Sequence, residues 1–152
     1  MNKLSSIKVV TEDSQVQRAT TGNCLPLLNE VRHALESLIN TDTSTAIDLR
    51  SIPLAPGEEE YIEQALGMGE VVAQLSALGF SDIYESRFPG VWLVIHYNSD
   101  NEIMGKLIEI TWIPSILRTQ MEDARQGLAK LVDQMDSALA STSDFNTHVC
   151  NQ

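Results

Sequence analysis

The sequence predicts an α+β fold, in which an antiparallel or mixed sheet of about four to five strands packs against three helices. β-Forming residues are concentrated between Ser81 and Pro114. Apolar residues recur at helical spacing before and after this stretch. The resulting order is helix, strand, helix, several strands in succession and a final helix, which is typical of the α+β class.

The run Val91–Ile95 predicts the central strand of the sheet. It is continuously apolar, rich in β-branched and aromatic residues, and bounded by Pro89-Gly90 and by the polar segment Asn98–Asn101. Such a run indicates a strand that is covered on both faces. We expect Ile103–Trp112 to be its antiparallel partner across a short hairpin, and Ser81–Phe88 to form a third strand.

The first helix is predicted from Asn23, a plausible N-cap, to the turn-forming segment Asn40–Ser44. Its apolar positions are Leu25, Leu28, Val31, Leu35 and Leu38. Their spacing places them on one face of the helix. A short strand, Thr45–Leu49, is expected to follow.

A second, short helix is predicted from Glu58 to Gly67, followed by a strand at Glu70–Leu75 and a turn at Ser76–Gly79. The acidic run Glu58–Glu60 opens this helix. Carboxylates are favoured in the first turn by the helix dipole, and a docking patch for a basic partner is the alternative interpretation.

A long final helix is predicted after Pro114. Thr119 and Glu122 have the spacing of a capping box. The apolar stripe of this helix is formed by Ala124, Leu128, Leu131, Met135 and Leu139. A stripe of this kind needs a covering surface, and the sheet is the expected one.

The 152 residues predict a single domain over residues 23–139. Residues 1–22 are polar apart from Ile7–Val10, so we expect a flexible segment that adds at most an edge strand. Residues 140–152 are expected to form a disordered tail.

The net charge of −11 and the pI near 4.5 bear on the class of partner. The ten Lys and Arg residues are scattered and form no cluster that would neutralise phosphates. Nucleic acid and anionic membrane surfaces are therefore unlikely partners on charge grounds.

The two cysteines, Cys24 and Cys150, form no C-x-x-C motif, so neither a zinc site nor a disulfide framework is indicated. The amino-terminal residues lack the apolar region of a signal peptide, and no run approaches the ~20 apolar residues of a membrane span. The sequence therefore predicts a cytoplasmic protein without a metal or cofactor.

His96 is the residue on which an enzymatic alternative depends. With Asp48, Glu85 or Glu109 it would form an acid–base pair, as in a small hydrolase or ligand-binding domain. No nucleophile is placed beside it by the sequence, and a lone histidine in a strand is more often structural. An iron or iron-sulfur carrier is a third hypothesis, which two distant cysteines disfavour.

The segment Arg87–Trp92 is the candidate partner-binding site, because Pro89-Gly90 interrupts the chain beside residue types that are enriched at interfaces. Core packing explains Phe88 and Trp92 equally well. Glu109, a charge within an apolar strand, needs either solvent or a partner, which Arg87 or Arg50 could supply. The candidate partner-binding residues are Arg87, Phe88, Pro89, Gly90, Trp92 and Glu109.

Five short segments occur in order between Leu25 and Leu131. They are Leu27-Leu28-Asn29-Glu30, Ala46-Ile47-Asp48-Leu49 with Pro53, Leu66-Gly67-Met68-Gly69-Glu70-Val71, Phe88-Pro89-Gly90-Val91-Trp92, and Ile108-Glu109 with Ile113-Pro114. Each is weak alone, but their order and spacing together resemble the HupH/HyaF family of hydrogenase expression proteins.

The resemblance implies a non-catalytic, chaperone-like accessory protein in the cytoplasmic maturation of nickel-iron uptake hydrogenases, with no cofactor of its own. The implied partners are the precursor of the iron-sulfur small subunit and a thioredoxin-like maturation factor. Many family members carry two copies of the domain in tandem, whereas this chain carries one. The single copy implies either self-association as a homodimer or a function that has drifted.

Overall fold

The computed structural model describes residues 20–77 and 79–147. Its helices and strands are α1 (Cys24–Thr41), β1 (Thr45–Asp48), α2 (Glu58–Leu66), β2 (Val72–Ala77), β3 (Gly79–Glu85), β4 (Val91–Tyr97), β5 (Ile103–Ile110) and α3 (Met121–Thr147). Short 3₁₀ turns lie at Leu49–Ser51 and Ser115–Leu117. The predicted α+β class is confirmed, with three helices and a five-stranded sheet among these residues.

The sheet is antiparallel throughout, and its strand order is β1-β5-β4-β3-β2. The predicted hairpin of β4 and β5 is present, with Val91 opposite Ile110 and Tyr97 opposite Ile103. The first five residues of β4 are all buried, so the prediction of a central strand covered on both faces is confirmed.

The chain forms two compact units, one ending at Thr111 and the other beginning at Trp112. In the first unit, α1 and α2 pack against one face of the sheet, where they bury a single apolar cluster. The helices contribute Leu27, Val31, Ala34, Leu38, Ile62 and Leu66, and the central strands contribute Val91, Leu93, Ile95, Ile108 and Ile110. Alternate residues of the strands, including Ile83 and Val94, point to the opposite face and are buried as well.

The second unit contains α3, whose apolar stripe is exposed. Leu128, Leu131 and Met135 each expose more than half of their surface. The helix also continues to Thr147, beyond Leu139, where it was expected to end. The predicted tail beyond residue 147 and the predicted edge strand at Ile7–Val10 lie outside the described residues.

One of the two predicted helix caps is confirmed. Asn23 is the N-cap residue of α1, although its side chain donates to the carbonyl of Pro53 and makes no capping hydrogen bond. Thr119 was expected to be the N-cap of the last helix, whereas α3 begins at Met121. A capping side chain can instead bond to a group that is distant in sequence, and the sequence does not show which groups the fold brings close to it.

The strand boundaries also differ by one to three residues from the predictions. β2 is shifted toward the carboxyl terminus, so the predicted turn at Ser76–Gly79 lies largely within the β2–β3 hairpin, where Ala77 is opposite Gly79. β3 ends at Glu85, since Ser86–Gly90 forms the connection to β4.

Candidate functional site

The segment between β3 and β4 forms a tight turn that displays Phe88. The amide of Val91 donates to the carbonyl of Phe88 over 3.0 Å, and Gly90 has a φ of 89°. Proline at the second position and a positive φ at the third are typical of a type II turn. The buried Ser86 fixes the turn further, since its hydroxyl donates to the carbonyl of Phe88 and accepts from its amide.

Arg87 connects this turn to α2. Its guanidinium donates to the carbonyls of Gln64 and Ala65 over 3.1 and 3.3 Å, and its backbone amide donates to the carbonyl of Leu66. These carbonyls belong to the last turn of α2, where a positive charge is favourable. Arg87 therefore holds the turn against the end of the helix.

The six candidate residues do not form one surface patch. Phe88 is 48% exposed, and Arg87 and Pro89 are exposed beside it. Trp92 is only 5% exposed and donates from its indole nitrogen to the carbonyl of Thr111 over 3.0 Å, which is the core alternative considered for it. Gly90 is buried, and Glu109 lies opposite Trp92 on β5, half-buried.

Phe88 borders an apolar groove between α1 and α2, which the sequence analysis missed. One depression, of about 330 Å³, is lined by Phe88 together with residues of both helices. A second, of about 420 Å³, lies toward the amino-terminal ends of the two helices. Leu28 lines both depressions, so we treat them together as the α1–α2 groove. The side chains at its walls include Leu25, Leu28, Val31, Leu35, Tyr61, Ala65 and Phe88.

The groove exists because α1 carries more apolar surface than the sheet covers. The buried positions are Leu27, Val31, Ala34 and Leu38. Leu25 belongs to the predicted apolar face but is 68% exposed, and Tyr61 on α2 is 57% exposed. The surplus of leucines on α1 was the sequence signal for this surface.

Glu58 holds the amino-terminal end of the groove together. Its carboxylate accepts hydrogen bonds from the amides of Thr21, Gly22 and Ala55 and from the hydroxyl of Thr21. The hydrogen bond from the Thr21 side chain, followed by that from the Ala55 amide, lowers the pKa of Glu58. Its charge is thus used to fix the segment that precedes α1.

The Cys24 thiol lines the same end of the groove and donates to the carbonyl of Glu58 over 3.7 Å. Burial, followed by the nearby Glu58 carboxylate, raises the pKa of Cys24. A thiol with a raised pKa stays protonated at neutral pH and is a poor nucleophile.

A buried ion cluster joins α2 to the sheet. Lys106 on β5 is 8% exposed and pairs with Glu59 and with Glu63, the latter over 2.6 Å. Burial lowers the pKa of Lys106, but the hydrogen bonds and charges of the two carboxylates outweigh it, so the net shift is upward. Nearby, burial followed by the charge of Glu63 raises the pKa of Tyr84 to about 12. At neutral pH, Lys106 is therefore charged and Tyr84 is neutral. The ion pairs of Lys106 with Glu59 and Glu63 anchor α2 to the sheet.

The proposed acid–base pair of His96 is not assembled. Its Nδ1 lies 2.9 Å from the hydroxyl of Ser81 on β3. Glu85 and Glu109 are both paired with Trp92 in the strand register, four residues from His96 and therefore about 13 Å along the strand. Asp48 accepts from the amide of Arg50.

Metal-binding clusters and membrane-spanning helices are both absent from the residues that the structure describes. No group of three His, Cys, Asp or Glu side chains there could hold a metal ion. No helix in the same residues combines the length and apolarity that crossing a membrane requires.

Comparison with known proteins identifies the family. Residues 21–138 match the family model described as the HupH hydrogenase expression protein, C-terminal conserved region. The chain is 28% identical over 114 residues to the hydrogenase expression/formation protein HoxQ of Azotobacter vinelandii, covering 72% of this chain and 39% of the relative. It is 27% identical over 111 residues to HupH of Rhizobium leguminosarum bv. viciae, with coverages of 73% and 39%.

A solved structure is similar over a larger share of its own length. The hydrogenase expression protein HupH from Thiobacillus denitrificans is 37% identical and superposes with a TM-score of 0.75, covering 78% of this chain and 99% of that one. The chain thus spans almost all of this solved domain but about 39% of the curated relatives. With the family model matching most of its length, this chain belongs to the HupH hydrogenase expression protein family and carries its C-terminal conserved region.

Proposed function

We propose that this chain is a non-catalytic accessory protein in the cytoplasmic maturation of nickel-iron uptake hydrogenase. In this role it binds the precursor of the iron-sulfur small subunit in a chaperone-like manner. The observation that carries the proposal is the exposed Phe88 beside an apolar groove, in a chain whose relatives are named hydrogenase expression or formation proteins.

The contact surface proposed for this binding is the exposed part of the turn, Arg87–Pro89. Aromatic and arginine side chains contribute disproportionately to binding at protein interfaces. Arg87 holds the turn on α2 and Ser86 holds it from within, so Phe88 is presented with little freedom to lose. A preorganised aromatic anchor supports recognition of a protein surface.

A thioredoxin-like maturation factor is proposed as a second partner, either beside the precursor or in exchange with it. Self-association of this chain as a homodimer is also proposed. No cofactor is invoked in either step.

Co-purification tests the main proposal. A tagged version of the chain is expressed in cells that make the hydrogenase, and the bound proteins are identified by mass spectrometry. The small-subunit precursor is expected in the eluate of the wild-type chain and is expected to be lost with Phe88→Glu. Val72→Glu is the matched control, since Val72 is an exposed apolar residue on the edge strand β2.

Two results would count against the proposal. One is the absence of the precursor from the eluate under conditions in which that precursor accumulates in the cell. The other is a small-molecule turnover by the purified chain that disappears in His96→Ala.

A further inference from the structure

We infer that the α1–α2 groove is the docking site for a short segment of another protein that carries apolar anchors flanked by Lys or Arg. The inference rests on the proposed function only in that the domain works by binding a protein. It does not require that protein to be a hydrogenase component.

The size of the groove fits a short segment. Leu25 and Leu35 on α1 both line it, and ten residues of helix extend about 15 Å. This is the length of about three turns of a bound helix. Leu25, Tyr61 and Phe88 rim the groove and are between 48% and 68% exposed, so large apolar side chains stand available for contact. Helix-in-groove recognition uses anchors at this spacing.

The negative charge of residues 20–111 indicates that the bound segment carries basic residues beside its apolar anchors. Residues 20–111 contain 14 Asp and Glu but only four Lys and Arg. All four of these basic side chains are already engaged: Arg32, which lines the groove, with Glu36, Arg50 with two carbonyls of β5, Arg87 with two carbonyls of α2, and Lys106 with Glu59 and Glu63. A strongly acidic unit of this kind attracts basic partners.

An acidic side chain also lies beside the groove itself. Glu60 is exposed and lines a shallow depression next to Tyr61. A segment that places apolar side chains in the groove and a Lys or Arg beside Glu60 would match both the apolar and the acidic character of this surface.

Charge disfavours a second copy of this chain as the occupant. A second copy would offer the groove the helix α3, whose apolar side chains Leu128, Leu131 and Met135 are exposed. Its residues 121–147 contain five Asp and Glu but two Lys and Arg, so it would bring like charge to an acidic surface. A basic segment from a different protein is therefore the occupant that the surface fits.

The test uses two labelled model peptides of about 16 residues, matched to the groove length. Both carry leucine at helical i, i+3 and i+4 spacing, and the other positions are lysine in one peptide and glutamate in the other. The purified full chain, labelled with ¹⁵N, is titrated with each peptide and followed by NMR and by fluorescence anisotropy. We expect saturable binding of the lysine peptide, with amide shifts concentrated at Leu25, Leu28, Tyr61 and Phe88.

Neutral substitutions separate groove binding from general attraction between opposite charges. The double variant Leu25→Ser with Phe88→Ser is expected to weaken binding of the lysine peptide at least about tenfold. Val72→Ser is expected to leave it unchanged. The dispersion of the NMR spectrum shows that each variant is folded, and both groove side chains are exposed enough for the fold to tolerate them.

Three results would overturn the inference. The first is scattered amide shifts that the double variant does not alter. The second is equal binding of the glutamate peptide. The third is concentration-dependent shifts in the groove without any peptide, because they would mean that a second copy occupies it. Since no hydrogenase component is present, failure of the precursor to co-purify leaves this test intact, and the converse also holds.

Discussion

Gly67 and Arg87 form a matched pair at the junction of α2 with the β3–β4 turn. Gly67 has a φ of 65° and a ψ of −173°, a backbone conformation that is almost confined to glycine. A Cβ built there would lie 2.1 Å from the Nε of Arg87. The glycine therefore serves two purposes, ending the helix and leaving room for the arginine that caps it.

The first prediction concerns these two residues. Gly67→Ala is expected to lower the free energy of unfolding by about 2 kcal/mol, because the backbone is strained and the Arg87 side chain must move. Arg87→Ala is expected to cost about 1 kcal/mol through its lost hydrogen bonds. The double variant is expected to cost less than the sum, since the arginine can be displaced only once. Urea denaturation of the four proteins measures the cycle, and strict additivity would show that the two side chains do not interact.

The second prediction concerns the pH dependence that Glu58 confers. Its pKa in the folded chain lies below the ordinary value of 4.5. Its stabilisation is therefore complete at neutral pH, declines as the pH falls below about 4.5, and is lost once the pH passes below the folded pKa. Glu58→Gln keeps the shape of the side chain, but an amide nitrogen cannot accept the amide hydrogen bonds.

The urea midpoints of the wild type and of Glu58→Gln are thus expected to differ most at pH 7 and to converge in acid. Glu60→Gln is the matched control, because Glu60 lies in the same first turn and is exposed. A difference that stayed constant between pH 7 and pH 3 would contradict an ionic role for Glu58.

At the scale of the elements, the segments whose pattern has one interpretation were predicted correctly. The continuous apolar run Val91–Ile95 admits only a strand covered on both faces, and β4 is that strand. The same observation already placed Trp92 inside, because a strand buried on both faces has no exposed alternate residue. The hypothesis that Trp92 binds a partner therefore conflicted with the prediction that its strand is buried on both faces.

The α1–α2 groove could not be predicted because α1 has too many apolar residues. Leu25, Leu27 and Leu28 are all apolar, so more than one helical stripe fits the sequence. Which of these stripes packs on the sheet is decided by the tertiary arrangement of the helix and the sheet, which the pattern of a single helix does not contain. The structure buries Leu27 and leaves Leu25 at the rim.

The third prediction concerns α3. Its side chains Leu128, Leu131, Val132 and Met135 are exposed, so the stability of this part of the helix is sensitive to the helix propensity of its residues. Gly127 lies in its interior, and a Cβ there would meet no atom within 4 Å. Gly127→Ala is expected to stabilise the helix by about 1 kcal/mol, which slows amide hydrogen exchange around residue 127 about fivefold.

Ala129→Gly is the reciprocal control and is expected to accelerate the same exchange. Unchanged exchange in both variants would mean that the stability of α3 is set by contacts other than its own backbone. Destabilisation by Gly67→Ala together with stabilisation by Gly127→Ala would show that the backbone requires glycine at position 67 but not at position 127.

At the scale of the whole molecule, the net charge of −11 dominates encounters with other proteins. The fourth prediction follows from this charge. The proposed complex with the small-subunit precursor is expected to form more slowly as salt rises, because the screening length falls from about 10 Å at 0.1 M to about 3 Å at 1 M. Stopped-flow or surface-plasmon measurements over this range test it.

The dissociation rate of the same complex is expected to depend less on salt, since apolar contacts around Phe88 would hold the partners together once they meet. An association rate that is independent of salt would show that charge does not guide the encounter. Phe88→Ser is expected to raise the dissociation rate and to leave the association rate unchanged.

The pairing of β1 with β5 places a constraint on biosynthesis. Thr45 on the outer strand is opposite Ile110, about 65 positions later in the chain. A ribosome adding about 5–20 residues per second needs roughly 3 to 13 seconds to make that interval. Until then Ile47 has no neighbour in β5 to pair with, and the apolar cluster under α1 lacks Ile108 and Ile110. The nascent chain therefore exposes part of its future core for several seconds before the sheet is complete.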